Sequence, residues 1–139
     1  NTDLGGKSFA FWGAAFKANT DDVRESPAIA MAESLIEAGA SVHVFDPEAT
    51  ENFMRLMQTN PQTKGMVVPF DDKYECLEGT SGLVTMTEWR EFQGPDLERI
   101  KKHLRVPVIF DARNLYETEK VLQAGFDYLA IGKSIPKRD

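Results

Sequence analysis

Short apolar runs of strand length alternate with helical segments along the whole chain, and this alternation restricts the possible folds more than any other feature. Several runs are almost continuously apolar, which is typical of parallel strands that are buried on both faces of a sheet. The six runs are Ser8–Gly13, Ser41–Asp46, Gly65–Phe70, Gly82–Met86, Pro107–Asp111 and Tyr128–Gly132. Strands that alternate with helices predict an α/β fold, with a doubly wound parallel sheet and helices on both faces.

Helical segments are predicted in the five intervals between these strands. Ser26 is suited to the N-cap of the first helix and Pro27 to its first helical position, and Gly39 can end that helix. The other four segments are Ala49–Asn60, Asp71–Gly79, Pro95–Leu104 and Glu117–Gly125. Six strands joined in this way favour the Rossmann-like strand order 3-2-1-4-5-6. A chain of 139 residues suits one domain, so residues 1–139 are interpreted as a single domain.

Charge and cysteine content argue against several classes of function. The chain has 22 acidic and 16 basic side chains and a net charge of −6, which disfavours nucleic acids and anionic membranes as partners. No apolar stretch is long enough to cross a bilayer. The single cysteine, Cys76, excludes an internal disulfide and fits a reducing, cytoplasmic setting. His43 and His103 lie far apart in the sequence, and no metal site is expected from them.

The connection from the first strand to the first helix, Gly13–Pro27, is long and charged, whereas such connections usually take about 2–6 residues. Ligands of doubly wound sheets bind at the carboxyl ends of the strands, where this connection begins. A dinucleotide-binding fold would carry G-x-G-x-x-G here, but the chain has only the first of these glycines. The connection offers side chains instead, namely Phe16 and the cations Lys17 and Arg24, which suit a phosphate-bearing ligand.

Four motifs in series resemble the nucleotide-sugar dehydrogenases, the UDP-glucose/GDP-mannose dehydrogenase family. The sequence AFKANTDDVRESP, Ala15–Pro27, resembles the family motif G-x-A-F-K-x-x-T-x-D-x-R-x-S-P. VFDP at Val44–Pro47 is similar to its Y-D-P, and TEWREF at Thr87–Phe92 to its T-E-W-x-E-F. Phe110–Lys133 is similar to its ending, D-G-R-N-L-Y…A-G-F-x-Y-x-x-I-G-R. The resemblance covers essentially the whole chain.

The resemblance implies one domain of a larger enzyme. Members of the family oxidise a sugar C6 alcohol to a carboxylate in two NAD-dependent steps, and the full-length enzymes are expected to be homo-oligomers. They have an NAD-binding domain, a central helical domain and a C-terminal nucleotide-sugar-binding domain, and this chain resembles only the last. Residues 1–139 are therefore expected to be a C-terminal fragment that binds a UDP-sugar and contains no catalytic residue. NAD is expected to be held mainly by a domain absent from the chain, and the fragment alone is expected to be inactive.

The resemblance also implies roles for individual residues. Phe16, Lys17 and Arg113 match positions that contact the nucleotide sugar, and Arg24 matches an arginine that reaches the bound NAD. Taken singly, Lys17 and Arg24 could instead pair with the acidic side chains of their own loop, and Phe16 could simply pack that loop. Asp46 stands where a dinucleotide-binding fold places a ribose-binding acid. Because the glycine motif is incomplete, Asp46 is interpreted as a turn residue.

The chain departs from the family pattern at three positions. Ala112 replaces a usual glycine, which predicts that the backbone there does not need a glycine. Lys133 replaces a common arginine, and Trp12 replaces an aliphatic residue in the first strand. Trp89 and Phe92, in the fourth-strand connection, are expected to anchor that segment.

Within the family, NTDDVRESP and TEWREF are closer to the UDP-glucose members than to the others. The alternatives are the GDP-mannose and UDP-N-acetylmannosamine dehydrogenases. Two alternatives belong to a different class of function. One is a nucleotide-sugar-binding module without catalysis, and the other is an interaction domain whose nucleotide site has decayed.

Overall fold

Six parallel strands form one sheet in the computed structural model, which describes residues 3–132 and residue 135. The strand order is β3-β2-β1-β4-β5-β6, so the predicted fold class and order are confirmed. Lys133 lies outside the described residues. The strands are β1 Ser8–Trp12, β2 Ser41–Phe45, β3 Val67–Pro69, β4 Leu83–Thr85, β5 Val108–Asp111 and β6 Asp127–Ala130.

Within residues 3–132, four α-helices join the strands: α1 Pro27–Glu37, α2 Thr50–Thr59, α3 Leu97–His103 and α4 Thr118–Gln123. Right-handed crossovers place α1 and α2 on one face of the sheet and α3 and α4 on the other. The predicted cap is confirmed, because the Ser26 hydroxyl accepts a hydrogen bond from the Ala28 amide at 3.2 Å. The start predicted for α3 at Pro95 is wrong, since Asp96 caps the helix by accepting from the Arg99 amide.

The helix predicted over 71–79 is also wrong, because only one 3-10 turn forms there, η1 at Glu75–Leu77. The Asp72 carboxylate accepts from the amides of Tyr74 and Glu75 and so starts a turn. Gly79 then takes a left-handed φ of 73°, which ends the turn before a second one can form. The β3–β4 crossover is therefore a compact loop, and η1 packs on β1 and β2.

Trp12 of β1 packs against this crossover. Its ring is fully buried and stacks on Phe92 with 5.2 Å between centroids, while Tyr74 meets it edge-on at 5.9 Å. Its indole N–H donates to the Lys73 carbonyl at 2.9 Å, so no polar atom of the ring is left unpaired. Aromatic pairs of this kind add about 0.5–1.5 kcal/mol each beyond area burial. This packing accounts for a large aromatic side chain at this position of β1.

Cys76 lies in η1 and is a buried free cysteine. Burial raises the pKa of its thiol far above the ordinary value, so the side chain behaves as an apolar one. His43 also has a structural contact here, with its Nδ1 atom 2.9 Å from the Cys76 carbonyl oxygen. In the part of the chain that the structure describes, no helix has the length and apolar character needed to span a membrane.

Candidate functional site

The strand order reverses direction between β1 and β4, and the connections that follow β1, β2, β4 and β5 meet at this carboxyl edge of the sheet. In open parallel sheets this switch point is where ligands bind. A crevice of about 650 Å³ opens there. Its lining includes Ala18, Asn19, Pro47, Glu88, Trp89 and Arg90.

The segment that follows β4 contacts the β1–α1 connection and fixes its path. Gly13 has a φ of 108°, and a Cβ atom there would lie 2.5 Å from the Thr87 hydroxyl oxygen, so the position needs glycine. The Thr87 hydroxyl donates to the Ala15 carbonyl at 2.9 Å. The Ala18 amide donates to Glu88 Oε2 at 3.3 Å. The residues of the TEWREF motif thus set the path of the connection that carries Phe16 and Lys17.

Asp46 is the buried anion of the switch point, with 4% of its surface exposed. Its two oxygens accept five hydrogen bonds. Oδ2 accepts from the amides of Ala14 (2.8 Å) and Ala15 (3.0 Å) and from the Trp89 indole (3.0 Å), and Oδ1 accepts from the amides of Glu48 (2.8 Å) and Ala49 (2.7 Å). Its predicted place in a turn is confirmed, but the bonds to the β1–α1 connection were not expected from the sequence. The same carboxylate anchors Trp89, as predicted for that side chain.

Arg113 joins the β5 connection to the β1–α1 connection. One guanidinium nitrogen donates to the Phe16 carbonyl at 2.8 Å, across 97 residues of sequence, and Nε donates to the Met86 carbonyl at 3.0 Å. Glu88 Oε1 lies 3.6 Å from Nε and, among the described residues, is a buried oxygen without a hydrogen-bond partner. The structure therefore brings Arg113 and Phe16 together, and exposed Lys17 is the next residue along the chain.

Asp111 fixes the backbone from which Arg113 projects. Its fully buried carboxylate closes the β5 connection in the way that Asp46 closes the β1–α1 connection. The five donors are the Thr85 hydroxyl, the amides of Arg113, Leu115 and Tyr116, and the Tyr128 hydroxyl at 2.7 Å. Burial and the hydrogen bond to Asp111 raise the pKa of Tyr128. The left-handed residue is Asn114, with φ 57°, and not Ala112, which confirms that no glycine is needed at that position.

Arg24 lies farther along the β1–α1 connection and is 87% exposed. Its guanidinium forms a fork with Asp22, with both nitrogen–oxygen distances at 3.0 Å. These hydrogen bonds lower the pKa of Asp22 to about 2. Arg24, Asn52 and Arg55 line an open groove of about 710 Å³ between the connection and α2. Arg24 is paired with Asp22 in its own loop, whereas Arg113 contacts the Phe16 and Met86 carbonyls and Glu88, so within residues 3–132 the two arginines share no hydrogen-bond or ion-pair partner.

The chemistry that this edge can perform is binding. Lys17 and Arg113 supply cations that suit phosphate oxygens, and the Arg113 fork is already oriented by two carbonyls. The raised pKa of buried Cys76 makes its thiol unsuited to nucleophilic attack. The sequence interpretation missed Glu88 and Asp111 as supports of the site. A signal was present, because each carboxylate stands at or just beyond the end of a predicted strand beside the switch point.

A family model described as "UDP-glucose/GDP-mannose dehydrogenase family, UDP binding domain" matches residues 10–118. A UDP-glucose 6-dehydrogenase of Rhizobium meliloti is 39% identical over 131 residues, which are 94% of this chain and 28% of that protein. A UDP-glucose 6-dehydrogenase of Pseudomonas aeruginosa is 35% identical, over 92% of this chain and 28% of that protein. The chain thus spans little more than a quarter of the length of these relatives.

Solved structures have the same fold, and this chain again covers about a quarter of their length. A UDP-glucose dehydrogenase from the archaeon Pyrobaculum islandicum superposes with a TM-score of 0.74 at 30% identity, over 95% of this chain and 27% of that one. A UDP-D-ManNAc dehydrogenase from Pyrococcus horikoshii superposes with a TM-score of 0.68 at 26% identity, over 94% of this chain and 26% of that chain.

Proposed function

Because the chain belongs to the UDP-glucose/GDP-mannose dehydrogenase family, in which it matches the UDP-binding domain, we propose that it forms the nucleotide-sugar half of a UDP-glucose 6-dehydrogenase active site. In this role residues 1–139 are the C-terminal domain of a longer, homo-oligomeric, cytoplasmic enzyme. That enzyme oxidises UDP-glucose to UDP-glucuronate in two NAD-dependent steps. The catalytic residues and most of the NAD site belong to the remainder of the enzyme.

The contact between Arg113 and the Phe16 carbonyl carries this proposal. It joins two connections that are 97 residues apart and sets a guanidinium beside the residue that precedes Lys17. Two cations at the switch point of a sheet form a suitable receptor for a diphosphate, with the nucleoside and the sugar extending to either side. Each charge-assisted hydrogen bond of this kind is worth about 1.5–3 kcal/mol.

The chain's own fit to NAD is limited to Arg24. The amides of Ala14 and Ala15, which would face a pyrophosphate in a dinucleotide-binding fold, are already bonded to Asp46. Arg24 is exposed, and its planar fork matches a phosphate as well as it matches the Asp22 carboxylate. In this proposal Arg24 exchanges Asp22 for a cofactor phosphate that is held by another domain. NAD supplies hydride acceptance when it is bound, and this chain contributes only to its binding.

Substrate oxidation by the intact protein tests the proposal. NADH formation is measured with UDP-glucose, GDP-mannose and UDP-N-acetylmannosamine, each with NAD. We expect UDP-glucose to give the highest kcat/KM and two NADH for each UDP-glucuronate formed. The 139-residue chain alone is expected to form no NADH. A preference for another sugar nucleotide would assign the chain to that branch of the family, and failure to oxidise any of them would favour a binding module without catalysis.

A further inference from the structure

The backbone cradle at the end of β1 is already occupied by a side chain of the protein. Two successive amides, from Ala14 and Ala15, point at Asp46 Oδ2, and the Trp89 indole N–H points at the same oxygen. In dinucleotide-binding folds the amides of this turn and of the helix that follows face the ligand's pyrophosphate. Here an internal carboxylate takes the place of the external anion.

The charge of this carboxylate is balanced by dipoles. Among the described residues, no ion pair involves Asp46, and five N–H groups surround its two oxygens. The carboxylate also lies at the start of α2, whose positive dipole end favours an anion. A neutral side chain of the same shape could not accept all five hydrogen bonds, so the charge itself is required.

We propose that Asp46 is a positioning residue for the nucleotide-sugar site, acting as a resident anion that fixes the turn from which Phe16 and Lys17 project. Both polar backbone groups of Ala15 are hydrogen-bonded, its amide to Asp46 and its carbonyl to Thr87. These two bonds fix the position from which Phe16 continues the chain. The filled cradle also excludes an external phosphate. The ligand's diphosphate therefore lies farther out, over Lys17 and Arg113. This inference rests on the proposed function.

Chemical rescue tests the resident anion independently of any sugar nucleotide. Asp46→Ala and Asp46→Gly vacate the cradle, and formate is a carboxylate small enough to enter it. We expect formate, at constant ionic strength against chloride, to raise the unfolding temperature of both variants saturably and to leave wild type unchanged. Glu51→Ala removes an exposed carboxylate from the first turn of α2 and is the matched control. If a variant is unfolded in buffer, formate should restore its folded signal.

The positioning role is tested by substrate kinetics of the intact enzyme. Asp46→Ala should raise the KM for UDP-glucose about tenfold, as expected for loss of one charge-assisted contact, with little change in the KM for NAD. Formate should lower that KM again, but it should not do so for Asp46→Asn, whose amide still fills the cradle.

The outcomes separate this inference from the proposed function. Equal formate effects on wild type and on the cradle variants, or no effect on any of them, would refute the resident anion. Formate rescue of stability without rescue of the UDP-glucose KM would refute the positioning role. An intact enzyme that does not act on UDP-glucose, but whose variants are still rescued by formate, would instead contradict the proposed function alone.

Discussion

Replacing Arg113 with alanine removes the side chain that joins the two connections at the switch point. The variant loses two hydrogen bonds to the carbonyls of Phe16 and Met86 and the attraction of Glu88. The β5 connection itself should stay folded, because Asp111 holds it through four donors besides the Arg113 amide. The effect is therefore expected in ligand binding more than in the fold.

The magnitude follows from the contacts that Arg113 can make. A charge-assisted hydrogen bond to a diphosphate is worth about 1.5–3 kcal/mol, which corresponds to a roughly tenfold to hundredfold change in affinity. The KM for UDP-glucose should rise by that factor, with little change in the KM for NAD. Arg113→Lys should give a KM for UDP-glucose between those of wild type and Arg113→Ala. The lysine ammonium keeps the charge but cannot bind two carbonyls and a ligand at once, as the planar guanidinium can.

Steady-state kinetics of the intact enzyme, with each substrate varied in turn, measures both constants. Arg105→Ala is the matched control, because this exposed arginine lies before β5, at the opposite edge of the sheet. A KM for UDP-glucose within about twofold of wild type in Arg113→Ala would refute the reasoning. So would an equal rise in Arg105→Ala.

Three further predictions concern the cofactor, the glycine of the β1–α1 connection and alkaline stability. Arg24→Ala should raise the KM for NAD and leave that for UDP-glucose near wild type; the reverse pattern would contradict its assignment. Gly13→Ala should cost on the order of 3 kcal/mol of unfolding free energy in denaturant titrations, because it combines a left-handed backbone with a clash against a buried side chain; a cost under about 1 kcal/mol would contradict the clash. Burial raises the pKa values of Cys76, Tyr116 and Tyr128, so their protonated forms stabilise the fold fully below about pH 8. Above the unfolded pKa of each group the unfolding free energy should fall by about 1.4 kcal/mol per pH unit, and the unfolding temperature should fall with it. The ordinary pKa values of these groups lie between about 8.5 and 10. An unfolding temperature that stays constant from about pH 9 to about pH 11 would therefore contradict a contribution of their protonated forms to stability.

The sequence predicts the sheet well because each strand is a short apolar run and helical segments lie between the strands. It fails at 71–79, where Asp72 caps a turn that Gly79 ends, and a short apolar pattern cannot distinguish one turn from a helix. It also misses what Asp46 does. Three of the five partners of that carboxylate lie 31, 32 and 43 residues away, and such pairings follow from the folded topology and not from the local sequence.

The same limit applies to the candidate site. The motifs identify Phe16, Lys17 and Arg113 as neighbours in function, and the contact between Arg113 and Phe16 makes two of them neighbours in space. The predicted strand order places β4 next to β1 and so places Glu88 near the switch point, but its two partners come from different connections and do not follow from the local sequence. The roles of these residues toward a ligand stay predictions until they are measured.

The two tryptophans of the chain are both buried but differ in their contacts, which gives the protein a built-in optical reporter. Trp12 is fully buried and donates its indole N–H to the Lys73 carbonyl, whereas Trp89 is 9% exposed, lines the crevice and donates to the Asp46 carboxylate. Emission from Trp89 should therefore respond to events at the switch point that leave Trp12 unchanged. A Trp12→Phe background would isolate that signal, so that ligand arrival and motion of the β1–α1 connection could be followed in real time without an attached dye.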